Sequence, residues 1–204
     1  MSRLSKVFTI IIIIMLLLFS KSVLSHKVLY QATIEPPIQI DIEEKKEIKH
    51  FGRKGDVKLF LRANYELKGV VKSKRKYSDF PSQISYYDLA IAWGDLNKKG
   101  IDDFISYSQR GRWYYFQHTA ASPVDIGYIS NNSANVHIIH KNENVLNKIK
   151  KIKKGDLIKL KGYLVDVDFK ESNNVELWQT SRSRSDTGNG ACEIFYVEEA
   201  TILD

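Results

Sequence analysis

One cysteine, four prolines and two methionines are all the sequence spares among its 204 residues. A lone cysteine excludes an intramolecular disulfide and any cysteine-rich zinc site. So few prolines, 11 glycines and no internal repeat exclude collagen-like and low-complexity architectures. Arginine is scarce as well, with 8 Arg against 23 Lys. Phosphate and base recognition favours the bidentate arginine fork, so the formal charge of +7 does not by itself point to nucleic acid. No apolar run reaches the roughly 20 residues that a transmembrane helix needs.

The first 25 residues contain no acid at all. Arg3 and Lys6 precede a run from Val7 to Phe19 in which Thr9 is the sole polar residue, and Ser20-Lys21 closes it. A basic start, a short apolar stretch and small polar residues form the layout of a secretory signal. Val23 and Ser25 then take the −3 and −1 positions of a cleavage after Ser25. Recruiting Val23 and Leu24 past Lys21 gives the alternative, an uncleaved single-pass anchor through residues 7–19. Both predict a periplasmic location, free or anchored to the inner membrane. Removing residues 1–25 takes away three positive charges and no negative one, leaving 28 basic against 24 acidic side chains, or +4.

Residues 26–56 read as an extended lead-in. Pro36-Pro37 forbids helix, Ile38, Ile40 and Ile42 alternate as in a short strand, and the charged stretch 43–49 reads as solvated. Val57, Leu59, Leu61, Ala63, Tyr65, Leu67 and Val71 share one parity, which predicts a long half-buried strand bent near Gly69, and Lys72–Lys76 then reads as a solvated loop. Ser85, Asp88 and the i, i+4, i+7 spacing of Leu89, Trp93 and Leu96 predict a short helix over 86–96. Residues 104–108 and 113–117 flank Gly111 as a hairpin, and Val136–His140 reads as a strand. Asn142 can cap a lysine-rich helix ended by Gly155. In Leu157–Phe169 the apolar parity switches at Gly162, which predicts a β-bulge. Residues 57–204 are therefore expected to form one domain of class α+β: mainly antiparallel β, an OB-like partly open barrel with one or two short helices.

Two segments can carry chemistry. Residues 181–193 concentrate Arg182, Arg184, Asp186, two glycines, several hydroxyls and Cys192. They read either as an anion-holding polar loop or as a tight connection with Cys192 a small residue at a strand start. If Cys192 is a nucleophile, His137 is the nearest type of base, with Asn135 or Asp186 to orient it. His137 and His140, three apart in a strand, point to opposite faces, so no metal site is expected, and no motif calls for a cofactor. The rings around Trp113, beside Arg112, can form a stacking surface, with half of them turned inward.

The strings YDLAIAWGDL, ISYSQRGRWYYF, SANVHII, KKGDLIKLKGYLVDV and SRSDTGNGACE occur in this order from Tyr87 to Glu193. Together they resemble a family of bacterial proteins with an N-terminal membrane or export segment. Where that family carries a proline after the SANVH strand, this chain has His140-Lys141. The resemblance covers roughly Val57 to the C-terminus and implies a bacterial source and an envelope location, but no activity. The expectation is an envelope module that binds a protein or polyanionic envelope component through Arg112, Trp113, Asn135, Arg182 and Arg184, with nucleic acid disfavoured. A hydrolase or transferase built on Cys192 and His137 is the alternative, and a structural accessory of a membrane complex is another.

Overall fold

A computed structural model describes residues 8–17, 32–53, 55–171, 174–184, 186, 188 and 190–203. Arg3, Lys6, the Ser20-Lys21 boundary and the Val23/Ser25 cleavage position lie outside the described residues, as do Ser185, Thr187 and Asn189.

Nine strands and four short helices make up the described chain, which is α+β and dominated by strands. The strands are β1 (Ile38–Gly52), β2 (Gly55–Lys76), β3 (Tyr87–Ala92), β4 (Ile105–Arg110), β5 (Trp113–His118), β6 (Ser133–His140), β7 (Leu157–Glu171), β8 (Asn174–Trp178) and β9 (Glu193–Leu203). The helices are α1 (residues 8–17), α2 (Lys99–Asp102), α3 (Ile126–Asn131) and α4 (Glu143–Lys151). Seven strands form one sheet in the order β1-β2-β3-β6-β9-β7-β8, and β4 and β5 form a separate hairpin. Strand β2 pairs β7 along Lys58–Val70 and then β3 along Val70–Lys76, so the sheet partly closes in a ring. Every pairing is antiparallel except β6 with β9. The ring is partial and falls short of a regular barrel.

Alternation explains the long strands. In β2 the odd residues from Val57 to Leu67 are buried while their neighbours are more exposed, the pattern of a strand with one wet face. A register shift between Leu61 and Ala63 sends the earlier odd residues to one core cluster and the later ones to the other. In β7, Ile158, Leu160 and Leu164 join the first cluster, whereas Val165, Val167 and Phe169 join the second. The parity switch at Gly162 therefore marks a change of which face is covered. The register with β9 does shift there, and the extra residue, Glu198, sits on β9. Gly162 has φ +155, and a Cβ would lie 2.0 Å from the Tyr196 carbonyl oxygen. Only glycine lets the strands approach so closely at this corner.

Three sequence expectations need correction. Residues 86–96 do not form a helix: Tyr87–Ala92 is strand β3, between β2 and β6. Its residues from Asp88 onward are all buried, and a strand covered on both faces loses the period of two that betrays strands. Lys72–Lys76 is not a solvated loop but the end of β2. Lys72 is buried and donates to the Leu96 carbonyl and to Asp102, while Lys74 donates to the Ile149 and Ile152 carbonyls at the end of α4. The lead-in is also more ordered than its composition suggests, because β1 runs unbroken through the charged stretch and pairs β2 on both sides of a shift between Asp41 and Lys46. Other readings hold. Asn142 caps α4 by accepting from the Val145 N–H at 3.1 Å, and Val145, Ile149 and Ile152 bury its apolar face.

Candidate active site

The pairing of three strands assembles a polar line on one face of the sheet. Antiparallel β3 and β6 set Asp88 opposite His137 and Ala90 opposite Asn135. Parallel β6 and β9 set His137 beside Ile194. Cys192 immediately precedes β9 and shares the parity of Ile194, so it falls on the same face as His137 and Asn135. The hairpin β4–β5 and the 3-10 turn Phe80–Gln83 supply further groups to this face.

His137 is the middle of the line. Its Nδ1 lies 3.0 Å from Asp88 Oδ2, and its ring packs on Trp178 with centroids 4.7 Å apart. Cys192 stands close enough to contribute to the charge on the ring. Burial alone pushes the His137 pKa down. The charge and hydrogen bond of Asp88, joined by Cys192, more than reverse this and raise it to about 9. At neutral pH His137 therefore keeps its proton.

Asp88 is fully buried and gains a second cation, Arg112, whose Nη1 donates to Oδ1 at 2.7 Å. The same guanidinium binds Asp79 through Nε at 2.9 Å and Nη2 at 2.6 Å, and donates to the Ser85 carbonyl and Ser82 Oγ. Its flat face covers the Tyr77 ring at 4.4 Å. Arg112 also carries φ +70, beside Gly111 at φ +58 in the two-residue turn between β4 and β5. Hairpin twist favours positive φ at both positions but normally with Asn or Gly, so an arginine there costs about 1–2 kcal/mol. The turn holds that strain while aiming the guanidinium at two carboxylates. Asp79, bound by Arg112 and by Ser82, has its pKa lowered to about 2.

Asn135 completes the first rank. Its Oδ1 accepts from Gln109 Nε2 at 2.7 Å, and its Nδ2 donates to the Arg112 carbonyl at 2.9 Å while lying 3.7 Å from Cys192 Sγ. Cys192 is half-buried. It opens into a cavity of about 190 Å³ walled by Trp113, Tyr114, Phe116, Ser133 and Ala134 together with Ser183, Arg184, Asp186, Gly188 and Ala191. His137 does not line this cavity.

The structure thus brings Cys192, His137, Asn135 and Arg112 together and sets Trp113 in the cavity wall. Asp186 also lines the cavity, where it accepts from Ser181 Oγ at 2.6 Å. It is not the residue that orients His137; Asp88 is. Arg184 lines the cavity but is paired with fully buried Glu193 and lies over the Trp93 ring at 5.8 Å. Arg182 pairs with Asp41 across 3.7 Å at an exposed position and is not among the cavity residues. Sequence reasoning missed Asp88 because it served as a helix-start acid there. The available signal was an acid inside the run YDLAIA, since a charge buried in an apolar strand demands partners. Among the described residues no three His, Cys, Asp or Glu side chains gather to hold a metal ion. Compared with known proteins, the chain matches no family model, no curated protein and no solved structure.

Proposed function

We propose that the chain is a cysteine-dependent hydrolase or transferase in which Cys192 is the nucleophile for an acyl group. The observation that carries this reading is the line Asp88–His137–Cys192, whose last member borders a cavity and whose first is held by the half-buried Arg112. Nucleophile, proton-holding partner and orienting group in that order form the arrangement that activates a thiol. His137 places a positive charge beside the sulfur, the setting in which a cysteine serves as a nucleophile. Asp88 touches no part of the cavity and acts as a positioning residue, fixing the ring through Nδ1.

The same geometry weighs against a polyanion-binding module. Of the arginines expected to form that surface, Arg112 and Arg184 are neutralised by carboxylates within the fold, and Arg182 faces Asp41. For the location, the support is α1, whose apolar residues from Phe8 to Leu17 are exposed. Among the described residues no helix is long and apolar enough to cross a membrane. An envelope location facing the periplasm is the reading that gives this exposed stretch a task, as export signal or anchor.

Alkylation tests the nucleophile. At pH 6.5 Cys192 should react with iodoacetamide about 10-fold or more faster than free N-acetylcysteine, because the His137 imidazolium stands beside the attacking sulfur. Asp88→Asn should slow it towards the free-thiol rate. A Cys192 that alkylates no faster than free N-acetylcysteine sinks the proposal.

A further inference from the structure

The walls around His137 restrict which acyl group Cys192 can accept. Its Nδ1 lies against Asp88 and its ring packs on Trp178, with Cys192 near enough to act on its charge. The side chain is 4% exposed, and the cavity is lined by Cys192 but not by His137. Breaking an amide requires a general acid that reaches the leaving nitrogen, since an amine does not depart as its anion. In the protease arrangement the imidazolium performs that step from an open position; here it has no surface on the cavity. A thiolate, by contrast, departs without a proton, since thiols ionise near pH 8.5.

Resting on the reading of Cys192 as nucleophile, we propose that its substrate is an acyl thioester and its acceptor a second thiol, so that the site moves an acyl group between sulfurs. The Cys192 thiolate attacks the thioester carbonyl, forming a C–S bond to Cys192 and breaking the C–S bond to the leaving thiolate. The acyl group then sits on Cys192. A second thiolate attacks the acyl-cysteine in the reverse sense, and Cys192 leaves with the same electron pair. No oxidant, reductant or net proton transfer is needed, and His137 keeps its proton through both halves as a counter-charge to the sulfur.

Other features fit this chemistry. Asn135 Nδ2, 3.7 Å from Sγ and fixed by Gln109 and the Arg112 carbonyl, supplies an N–H to the carbonyl oxygen as it becomes an oxyanion. A cavity of about 190 Å³ lined by Trp113, Tyr114 and Phe116 suits a short acyl chain. Water is a poor acceptor in this site. It must lose a proton to attack, and the His137 imidazole already carries one.

The test compares two acyl donors with the same acyl group on the full chain: a thioester of N-acetylcysteamine and a p-nitroanilide. Acylation of Cys192 is followed by intact mass, and each rate is divided by that of free N-acetylcysteine with the same donor. The thioester ratio is expected to exceed the anilide ratio by about 100-fold or more, the low end of what general acid catalysis contributes. The isolated acyl-enzyme should discharge to added thiol much faster than to water, and Cys192→Ser should show no acyl transfer between thiols. Equal ratios for the two donors overturn the thioester assignment, and discharge to water as fast as to thiol overturns the thiol acceptor; either result leaves Cys192 as nucleophile. Failure of both donors together with slow iodoacetamide alkylation, in protein with an unchanged circular dichroism spectrum, overturns both readings. Failure of both donors with fast alkylation overturns acyl chemistry alone.

Discussion

Arg112 shows two effects of opposite sign acting on one residue. Its backbone is strained by about 1–2 kcal/mol in the left-handed region, and its side chain neutralises Asp88 in the interior. Arg112→Gly relieves the first and removes the second. Deleting one partner of a buried pair costs about 3–5 kcal/mol because the remaining charge is left uncompensated. Asp88 keeps His137 as a second partner, which moderates the loss, and the exposed Asp79 adds little. The side chain wins, and the variant should be less stable by about 2 kcal/mol in urea denaturation at pH 7. Pairing Arg112→Gly with Asp88→Asn should recover part of that loss, since the stranded charge is then gone. A single variant as stable as the parent would mean that the guanidinium contributes no more than its own strain.

At the scale of elements, Gly162 is the corner on which β7 and β9 meet. An alanine there would place its Cβ 2.0 Å from the Tyr196 carbonyl oxygen at φ +155, a clash with backbone that no side-chain rotation relieves. Gly162→Ala should lower stability by at least about 2 kcal/mol, read as a fall of about 4 °C or more in thermal midpoint. An unchanged midpoint would show that the corner can relax. This glycine was legible in the sequence as a break in apolar parity, and so were the half-exposed strand β2, the hairpin around Gly111 and the Asn142 cap. Each announces itself through spacing or a turn residue within a few positions. Strand β3 did not, because Leu89, Trp93 and Leu96 mimic a helical period, and burial on both faces erases alternation. That one error hid the site, since Asp88 faces His137 only if residues 87–92 are extended. Cys192 and His137 could be suspected from residue type alone, but their meeting depends on the parallel pairing of β6 with β9, which leaves no local trace. The pairing of β2 with β7, about a hundred residues apart, is invisible for the same reason.

For the whole molecule, two histidines in opposite settings shape the dependence of stability on pH. His137 has its pKa raised from 6.5 to about 9. The folded protein therefore holds a proton that the unfolded chain releases near pH 6.5. The associated stability is fully present below that pH and is lost as pH rises through 9. A shift of this size corresponds to about 3 kcal/mol. His50 behaves in the reverse sense: burial, and then the charge of neighbouring His140, lower its pKa to about 4. Its contribution is complete above pH 6.5 and is lost as pH falls towards 4, where the unfolded chain takes up a proton that the fold refuses. His50 meets His140 and Tyr196 edge-on, with ring centroids 6.1 and 5.9 Å away, so this acid-sensitive corner joins β1 to β6 and β9. Asp79, lowered to about 2, adds a further loss as pH falls below 3.8. Thermal midpoints measured across pH should accordingly peak near pH 6.5 and decline on both sides. His137→Gln should flatten the alkaline limb between pH 6.5 and 9 while leaving the acid limb in place, and His50→Phe should soften the acid limb between 6.5 and 4 alone. An alkaline limb that survives His137→Gln would mean that the Asp88–His137 pair does not hold its proton, and the charge balance drawn for Cys192 would fall with it.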